Sequence, residues 1–181
     1  MKINNVFSSF FFVCLLLIGM ADSHSQTDES DYVLGPGDVI SITVFGQGDL
    51  SVEARLSNSG VLRYPFLGDV QLIGKTVEEL EQLIDTGLRG DYLIDPSVSV
   101  SVKEYRPFFI NGEVKKPGGY AYQPGLSLDK AIALAGGFTE RANKTEVSLK
   151  RVVDGEEVVL DKTVNETVSP GDIITVKSRF F

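Results

Sequence analysis

The hydrophobic pattern of residues 32–177 alternates between short period-two segments and turns, and this alternation limits the folds that the chain can adopt. The clearest segment is residues 97–103, where every second position is valine and the others are serine or lysine. One face of such a strand is buried and the other contacts water. Residues 40–44 have the same pattern, after the turn Gly35-Pro36-Gly37-Asp38. The pattern predicts sheets of short strands.

Two segments depart from this alternation and predict helices. Thr76 and Glu79 have the spacing of a capping box. The apolar residues after Thr76 follow helical spacing and predict a helix that ends at Gly87 or Gly90. Ser127 precedes a second, shorter apolar segment and is a potential helix cap. We predict an α+β fold with two small mixed α/β domains, each with one helix on short strands.

Several turn residues are predicted to be structural. Glycines adopt the positive φ angles that tight turns and helix ends require. The sequence Pro-Gly-Asp occurs at residues 36–38 and again at residues 170–172, each time before a β-branched strand. Aspartate in such a turn accepts hydrogen bonds from nearby backbone N–H groups, so we interpret the similarity as repeated turn chemistry. The predicted structural positions are Gly35, Pro36, Gly37, Asp38, Gly112, Pro117, Gly136 and Gly137.

Residues 1–25 have the pattern of a cleaved signal peptide. Lys2 precedes an uncharged apolar run at residues 10–20, which is shorter than the roughly 20 residues of a membrane-spanning helix. We expect residues 26–31 to form a flexible leader and the protein to reach the periplasm. The alternative is an uncleaved N-terminal anchor. Cys14 lies inside the apolar run, so a lipoprotein is not expected.

Composition argues against several classes of function. The chain has 25 acidic and 17 basic residues, a net charge of −8 and no basic cluster, so we expect no nucleic-acid partner. The single cysteine and the single histidine, Cys14 and His24, both lie in the expected signal peptide. The carboxylates lack the spacing of a calcium loop and select no glycosidase pair. We predict no catalytic residue, no metal site and no cofactor.

Tyrosines and arginines beside turns are the remaining candidates for binding. Tyrosine rings stack on sugars and fill protein interfaces, and arginine is common at such interfaces. In the alternative interpretation, the same side chains cover the edges of a small core. The candidates for contact with a polysaccharide or a neighbouring protomer are Arg63, Tyr64, Tyr105, Arg106, Tyr120 and Tyr122.

Ordered motifs along the chain resemble a known pair of modules. Residues 32–46 resemble the opening of the polysaccharide export domain of outer-membrane auxiliary proteins for capsule and exopolysaccharide secretion. The stretches 60–68, 74–80 and 96–100 continue this resemblance, in the order expected for that domain. The second half resembles a soluble-ligand-binding β-grasp (SLBB) domain, in the stretches 110–120, 131–138 and 147–151.

The resemblance implies an export domain at residues 32–105 and an SLBB domain at residues 106–181. It also implies a non-enzymatic component of a secretion machine. Members of this family form rings, commonly octamers, which dock on an inner-membrane polysaccharide copolymerase and offer a path for the polysaccharide chain. The alternative is a periplasmic module that binds a sugar or another small ligand and signals to a partner. A third reading, a polysaccharide-processing enzyme, lacks a candidate acid pair.

Longer members of the family carry further β-grasp repeats and a C-terminal amphipathic helix that forms a membrane pore. This sequence ends at Phe181, soon after a predicted strand, without such a helix. A membrane pore requires a spanning helix or a closed barrel. The resemblance therefore predicts a short, periplasmic form, associated with the outer membrane, that relies on a separate outer-membrane β-barrel.

Overall fold

The computed structural model describes residues 32–153 and 155–179. The expected signal peptide and leader, residues 1–31, lie outside the described residues. Within the described residues, helices and strands form two units that follow one another along the chain. This arrangement confirms the predicted α+β fold class.

The first unit contains a three-stranded antiparallel sheet, a separate hairpin and one long helix. The sheet has the order β2-β1-β5, and β3 pairs with β4 in the hairpin. A short 3₁₀ turn at Gly48–Leu50 leads from β1 towards β2. The elements are β1 (Val39–Val44), β2 (Val52–Arg55), β3 (Val61–Tyr64), β4 (Gly68–Gln71), α1 (Val77–Leu88) and β5 (Val98–Glu104).

Helix α1 begins with the capping box that the sequence predicted. The Glu79 N–H donates to the Thr76 hydroxyl at 3.2 Å, and the Thr76 N–H donates to the Glu79 carboxylate at 2.9 Å. One face of the helix is buried in the first core. The prediction that Gly87 could end the helix is wrong, because Gly87 lies within α1, whereas Gly90 follows its end with a φ of 88°.

The second unit is a five-stranded mixed sheet covered by one short helix. The strand order is β7-β6-β10-β8-β9; β6 and β10 are parallel, and the other neighbours are antiparallel. Strands β8 and β9 are consecutive in the chain and pair along their length as an antiparallel hairpin. The elements are β6 (Phe108–Gly112), β7 (Gly118–Tyr120), α2 (Leu128–Leu134), β8 (Ala142–Val153), β9 (Glu156–Thr163) and β10 (Ile173–Ser178).

Each unit has its own hydrophobic core. The first core lies between α1 and the strands of the first unit, and the second lies between α2 and the five-stranded sheet. The two clusters share no residue, and residues 105–107 connect β5 to β6. The largest fully buried side chains include Ile40, Leu72 and Leu80 in the first core, and Phe108, Ile110 and Leu128 in the second.

The N-terminal end of α2 differs from the prediction that Ser127 caps the helix. Ser127 occupies the N-cap position, but its hydroxyl donates to the Asp129 carboxylate and makes no bond to the helix backbone. The backbone oxygens of Glu166 and Val164 accept from the N–H groups of Leu128 and Asp129 instead, both at 2.9 Å. A neighbouring loop therefore caps this short helix, because its first N–H groups lack partners within the helix.

The C-terminal end of α2 confirms the structural role of Gly136 and Gly137. The Gly136 N–H donates to the Ala133 oxygen and the Gly137 N–H donates to the Ile132 oxygen, both at 2.9 Å. This pair of bonds is a Schellman motif. Both glycines have positive φ, 80° and 84°, which disfavours residues that carry a Cβ.

Gly112 is constrained by its backbone angle and by a close neighbour. Its φ is 83°, and a Cβ at this position would lie 2.2 Å from the Val176 carbonyl oxygen. The contact arises because Gly112 lies opposite Val176 in the parallel pairing of β6 with β10. A side chain here therefore requires movement of a strand in the second core.

We predict that Gly112→Ala lowers the free energy of unfolding more than Gly137→Ala. Both residues have left-handed backbone angles, which cost about 1–2 kcal/mol for an L-residue, but open space surrounds Gly137. Gly112→Ala adds the clash with Val176. Valine at position 137 should cost more than alanine, because its branched side chain tolerates positive φ poorly.

Urea denaturation followed by circular dichroism measures these differences. Gly48→Ala is the matched control, since Gly48 has neither a positive φ nor a heavy atom near the added Cβ. Wild-type stability in Gly112→Ala would contradict the prediction.

Candidate functional site

The two Pro-Gly-Asp turns have the same internal geometry. The Asp38 N–H donates to the Gly35 oxygen at 3.3 Å, and the Asp172 N–H donates to the Ser169 oxygen at 3.2 Å. Each carboxylate accepts from the first residue of its own turn, Gly35 N–H at 2.8 Å and Ser169 N–H at 2.6 Å. Both aspartates are fully buried. These bonds confirm the interpretation as repeated turn chemistry.

Asp172 is paired with an arginine from its own unit. Arg151 Nε lies 2.8 Å from Asp172 Oδ1, and Arg151 Nη2 lies 2.7 Å from Asp172 Oδ2. This bidentate pair neutralises a buried charge that would otherwise be costly. The hydrogen bonds to Asp172 raise the pKa of the Arg151 guanidinium, against the opposing effect of burial. The pair therefore belongs to the internal structure of the second unit.

Asp38 is paired with an arginine from the segment that connects the units. The Arg106 backbone N–H donates to Asp38 Oδ1 at 2.7 Å, and Arg106 Nη1 lies 3.1 Å from Asp38 Oδ2. The Arg106 Nε group also donates to the Pro170 carbonyl oxygen at 3.2 Å. One side chain thus contacts the Pro-Gly-Asp turn of each unit.

The glycines of both turns leave the space that Arg106 occupies. A Cβ at Gly35 would lie 2.0 Å from Arg106 Nη1, and one at Gly171 would lie 2.9 Å from Arg106 Nε. A Cβ at Gly37 would lie 3.3 Å from the Arg106 Cβ. The predicted structural role of Gly35 and Gly37 therefore has a physical basis in the packing of this arginine.

Tyrosines surround the arginine. The Tyr32 hydroxyl donates to Asp38 Oδ2 at 2.7 Å and accepts from Arg106 Nη1 at 3.0 Å. Burial, followed by the hydrogen bond to Asp38, raises the pKa of the Tyr32 hydroxyl. The rings of Tyr32 and Tyr105 meet edge to face at 5.0 Å, and those of Tyr105 and Tyr122 at 5.3 Å. We call this cluster the junction; it comprises Tyr32, Asp38, Tyr105, Arg106, Tyr122 and Pro170.

The junction contains three of the six predicted contact residues, and the other three lie elsewhere. Tyr64 is a core residue that is not available for contact with a polymer, because its side chain is 2% exposed and its hydroxyl donates to the Leu50 oxygen at 2.7 Å. Tyr120 stacks on Phe108 with ring centroids 5.9 Å apart. Arg63 is exposed on β3. The six residues therefore do not form one site.

Sequence reasoning missed an exposed aromatic pair in the first unit. The rings of Phe66 and Tyr92 stack with centroids 4.7 Å apart and planes at 25°. Phe66 is 61% exposed and Tyr92 is 47% exposed. We call this pair the aromatic platform. The sequence signal is a large aromatic residue in the turn Pro65-Phe66-Leu67-Gly68 between β3 and β4.

A shallow, open groove of about 850 Å³ lies between β4 and α1, and Leu67, the chain neighbour of Phe66, contributes to it. Leu67 and Leu83 contribute apolar surface, and Gln71 and Gln82 contribute amide groups. Among the described residues, no group of three or more acidic, histidine or cysteine side chains is placed to hold a metal ion. The groove also contains the charged side chains of Asp69, Lys75 and Glu79.

Across residues 32–153 and 155–179, no helix combines the length and the hydrophobicity required to cross a lipid bilayer.

Comparison with known proteins matches both halves of the chain. The family model described as polysaccharide biosynthesis/export protein matches residues 26–103, and the SLBB domain model matches residues 107–161. The exopolysaccharide production protein ExoF of Rhizobium meliloti (strain 1021) is 38% identical over 96 residues, which are 52% of this chain and 23% of ExoF.

Two further relatives match over a longer part of the chain. The EPS I polysaccharide export outer membrane protein EpsA of Ralstonia nicotianae is 25% identical over 182 residues, covering 82% of this chain and 48% of EpsA. The polysialic acid transport protein KpsD of Escherichia coli is 27% identical over 124 residues, covering 67% of this chain and 22% of KpsD. The chain thus spans less than half the length of each of these relatives.

We predict that Arg106→Ala uncouples the unfolding of the two units. The variant removes the side-chain contacts to Asp38 and Pro170 and leaves a buried carboxylate without its cation, which typically costs about 3–5 kcal/mol. Differential scanning calorimetry should show a lower midpoint for the first unit and a transition split into two. Arg89→Ala, which removes the two ion pairs to Asp85 and Asp95 within the first unit, is the control and should leave one transition. A wild-type thermogram for Arg106→Ala would refute the coupling.

Proposed function

The chain belongs to the polysaccharide export protein family, and on this basis we propose that it is a non-enzymatic component of a bacterial capsule or exopolysaccharide secretion machine. Its relatives are named for polysaccharide export, exopolysaccharide production and polysialic acid transport. In this proposal the chain assembles with further copies of itself into a ring, by family resemblance an octamer. The ring conducts the growing polysaccharide across the envelope.

The observation that carries the proposal is the junction between the two modules. Arg106 pairs with Asp38 of the export module and donates to Pro170 of the SLBB module. Residues 32–105 and 106–181 would then act as two layers of one protomer with a defined relative position. A ring of such protomers requires that position to be the same in every copy.

The buried carboxylates support a structural role over a catalytic one. Asp38 accepts bonds from Tyr32, Gly35 and Arg106, and Asp172 accepts bonds from Arg151 and Ser169. A general acid needs a proton that it can transfer to a bound substrate. The oxygens of both aspartates instead accept hydrogen bonds within their own turns and ion pairs. Neither is therefore a candidate general acid, which agrees with the proposed non-enzymatic role.

Location and partners follow from the same proposal. EpsA is described as an outer membrane protein. We place this chain on the periplasmic side of the outer membrane, where it would contact an inner-membrane polysaccharide copolymerase and the polysaccharide. A ring has a central opening, and exposed side chains such as Arg63 are candidates for contact with the polymer or with a neighbouring copy.

Deletion of the gene tests the proposal through the amount of extracellular and surface polysaccharide. We expect the polymer to be lost and to return when the wild-type gene is restored. Arg106→Ala should restore less polymer than Arg89→Ala at equal protein levels, because it disturbs the junction and the control does not. Crosslinking in intact cells should trap multimers of the wild-type protein. Normal polymer in the deletion strain would overturn the proposal and favour a periplasmic ligand-binding module.

A further inference from the structure

We propose that the groove between β4 and α1, together with the aromatic platform, binds a short segment of an uncharged polysaccharide. The inference deepens the proposed function and rests on it, since it identifies the surface on one protomer that the transported polymer contacts. The site is formed by the export module alone and is separate from the junction. The site combines the stacked rings of Phe66 and Tyr92 with the neutral amide groups of Gln71 and Gln82.

The aromatic platform has the exposure and the ring geometry of a stacking surface. Phe66 and Tyr92 present large apolar areas to solvent, whereas exposed aromatic side chains are usually scattered singly. The Tyr92 hydroxyl donates to the Phe66 carbonyl oxygen at 3.4 Å, which links the Tyr92 side chain to the Phe66 backbone. Sugar rings have apolar faces that pack on such rings. The pair therefore suits one sugar unit.

The backbone at Phe66 is strained. Its φ is 65°, and among the described residues it is the only non-glycine residue with a positive φ. A bulky residue in this conformation is an outlier, and such residues cluster at ligand-binding positions. Glycine would be free of this strain, so the benefit of phenylalanine lies in its exposed ring.

Helix α1 lines one side of the groove. Leu67, next to Phe66 in the chain, contributes to the groove and packs against Gly87, where a Cβ would lie 2.8 Å from Leu67 Cδ2. Gln82 and Thr86 lie on one face of α1, four residues apart. At about 1.5 Å per residue, the helix is roughly 18 Å long, enough for several sugar units. Phe66 of the platform and Leu67 of the groove are thus adjacent in the chain.

The chemistry of the groove favours uncharged sugars. The amides of Gln71 and Gln82 both donate and accept hydrogen bonds, as sugar hydroxyls do. The charged residues of the groove are Asp69, Glu79 and Lys75, which leaves an excess of negative charge. This excess disfavours a run of uronic acids by repulsion.

Titration of the ¹⁵N-labelled periplasmic protein with oligosaccharides tests the proposal by NMR. The probe is a set of short neutral oligosaccharides released by mild acid from the extracellular polysaccharide of the source strain, and tetragalacturonate is the acidic comparison. We expect amide shifts confined to β4, α1 and the platform with the neutral probe, and weaker binding of tetragalacturonate.

Two variants separate the platform from the fold. Phe66→Gly removes the ring and relieves the strained φ, so it should fold at least as stably as the wild type and bind the neutral probe about tenfold more weakly. Gln82→Ala should also weaken binding. Phe45→Ala removes a ring that is 83% exposed outside the groove and should bind normally.

The outcomes distinguish the proposed site from the proposed function. Unchanged affinity in Phe66→Gly, or no shifts in the wild type, overturns the site. A change of oligomeric mass in Phe66→Gly by light scattering, with unchanged affinity, would assign the platform to contact between copies. Full restoration of polymer export by Phe66→Gly in the deletion strain, where the empty vector fails, would overturn the role of the site in export while leaving the export function intact.

Discussion

The arrangement of the two described units depends on the ion pair and hydrogen bonds of the buried Asp38 carboxylate. A buried charge without compensation is strongly destabilising, and Asp38 is compensated by a hydroxyl, two backbone N–H groups and a guanidinium. Those donors come from Tyr32, from its own turn and from Arg106. Formation of the first unit thus orders Tyr32 and the connection to the second unit together.

Arg106 extends this constraint into the second unit through Pro170. The Pro-Gly-Asp turn is used twice, and the two copies differ in the origin of the arginine. Arg151 pairs with Asp172 from within its own sheet, whereas Arg106 pairs with Asp38 from the connecting segment. The turn at Asp172 therefore stabilises the second module internally, whereas the turn at Asp38 helps to join the two modules through Arg106. In the proposed ring, this second use would set the relative position of the two modules in each protomer.

The exposed surface of the export module is organised independently of the junction. Tyr64 and Phe66 are two residues apart, yet one is a core residue and the other a surface residue. Tyr64 lies on the buried side of β3, where its hydroxyl reaches the Leu50 oxygen. Phe66 lies in the turn after β3, where no core is available and Tyr92 is its partner. Tyr64 thus stabilises the core, whereas Phe66 is available for the proposed contact with a sugar.

The sequence by itself determined the features that depend on near neighbours: the strands, the capping box at Thr76, the glycine pair after α2 and the Pro-Gly-Asp turns, together with the order of family motifs. These features rest on spacings of a few residues, which the chain fixes locally. The tertiary structure alone decided that Arg106 meets Asp38, across 68 residues, and that Tyr92 meets Phe66, across 26 residues. Such contacts depend on how the packed cores place distant segments, and no local spacing encodes that placement.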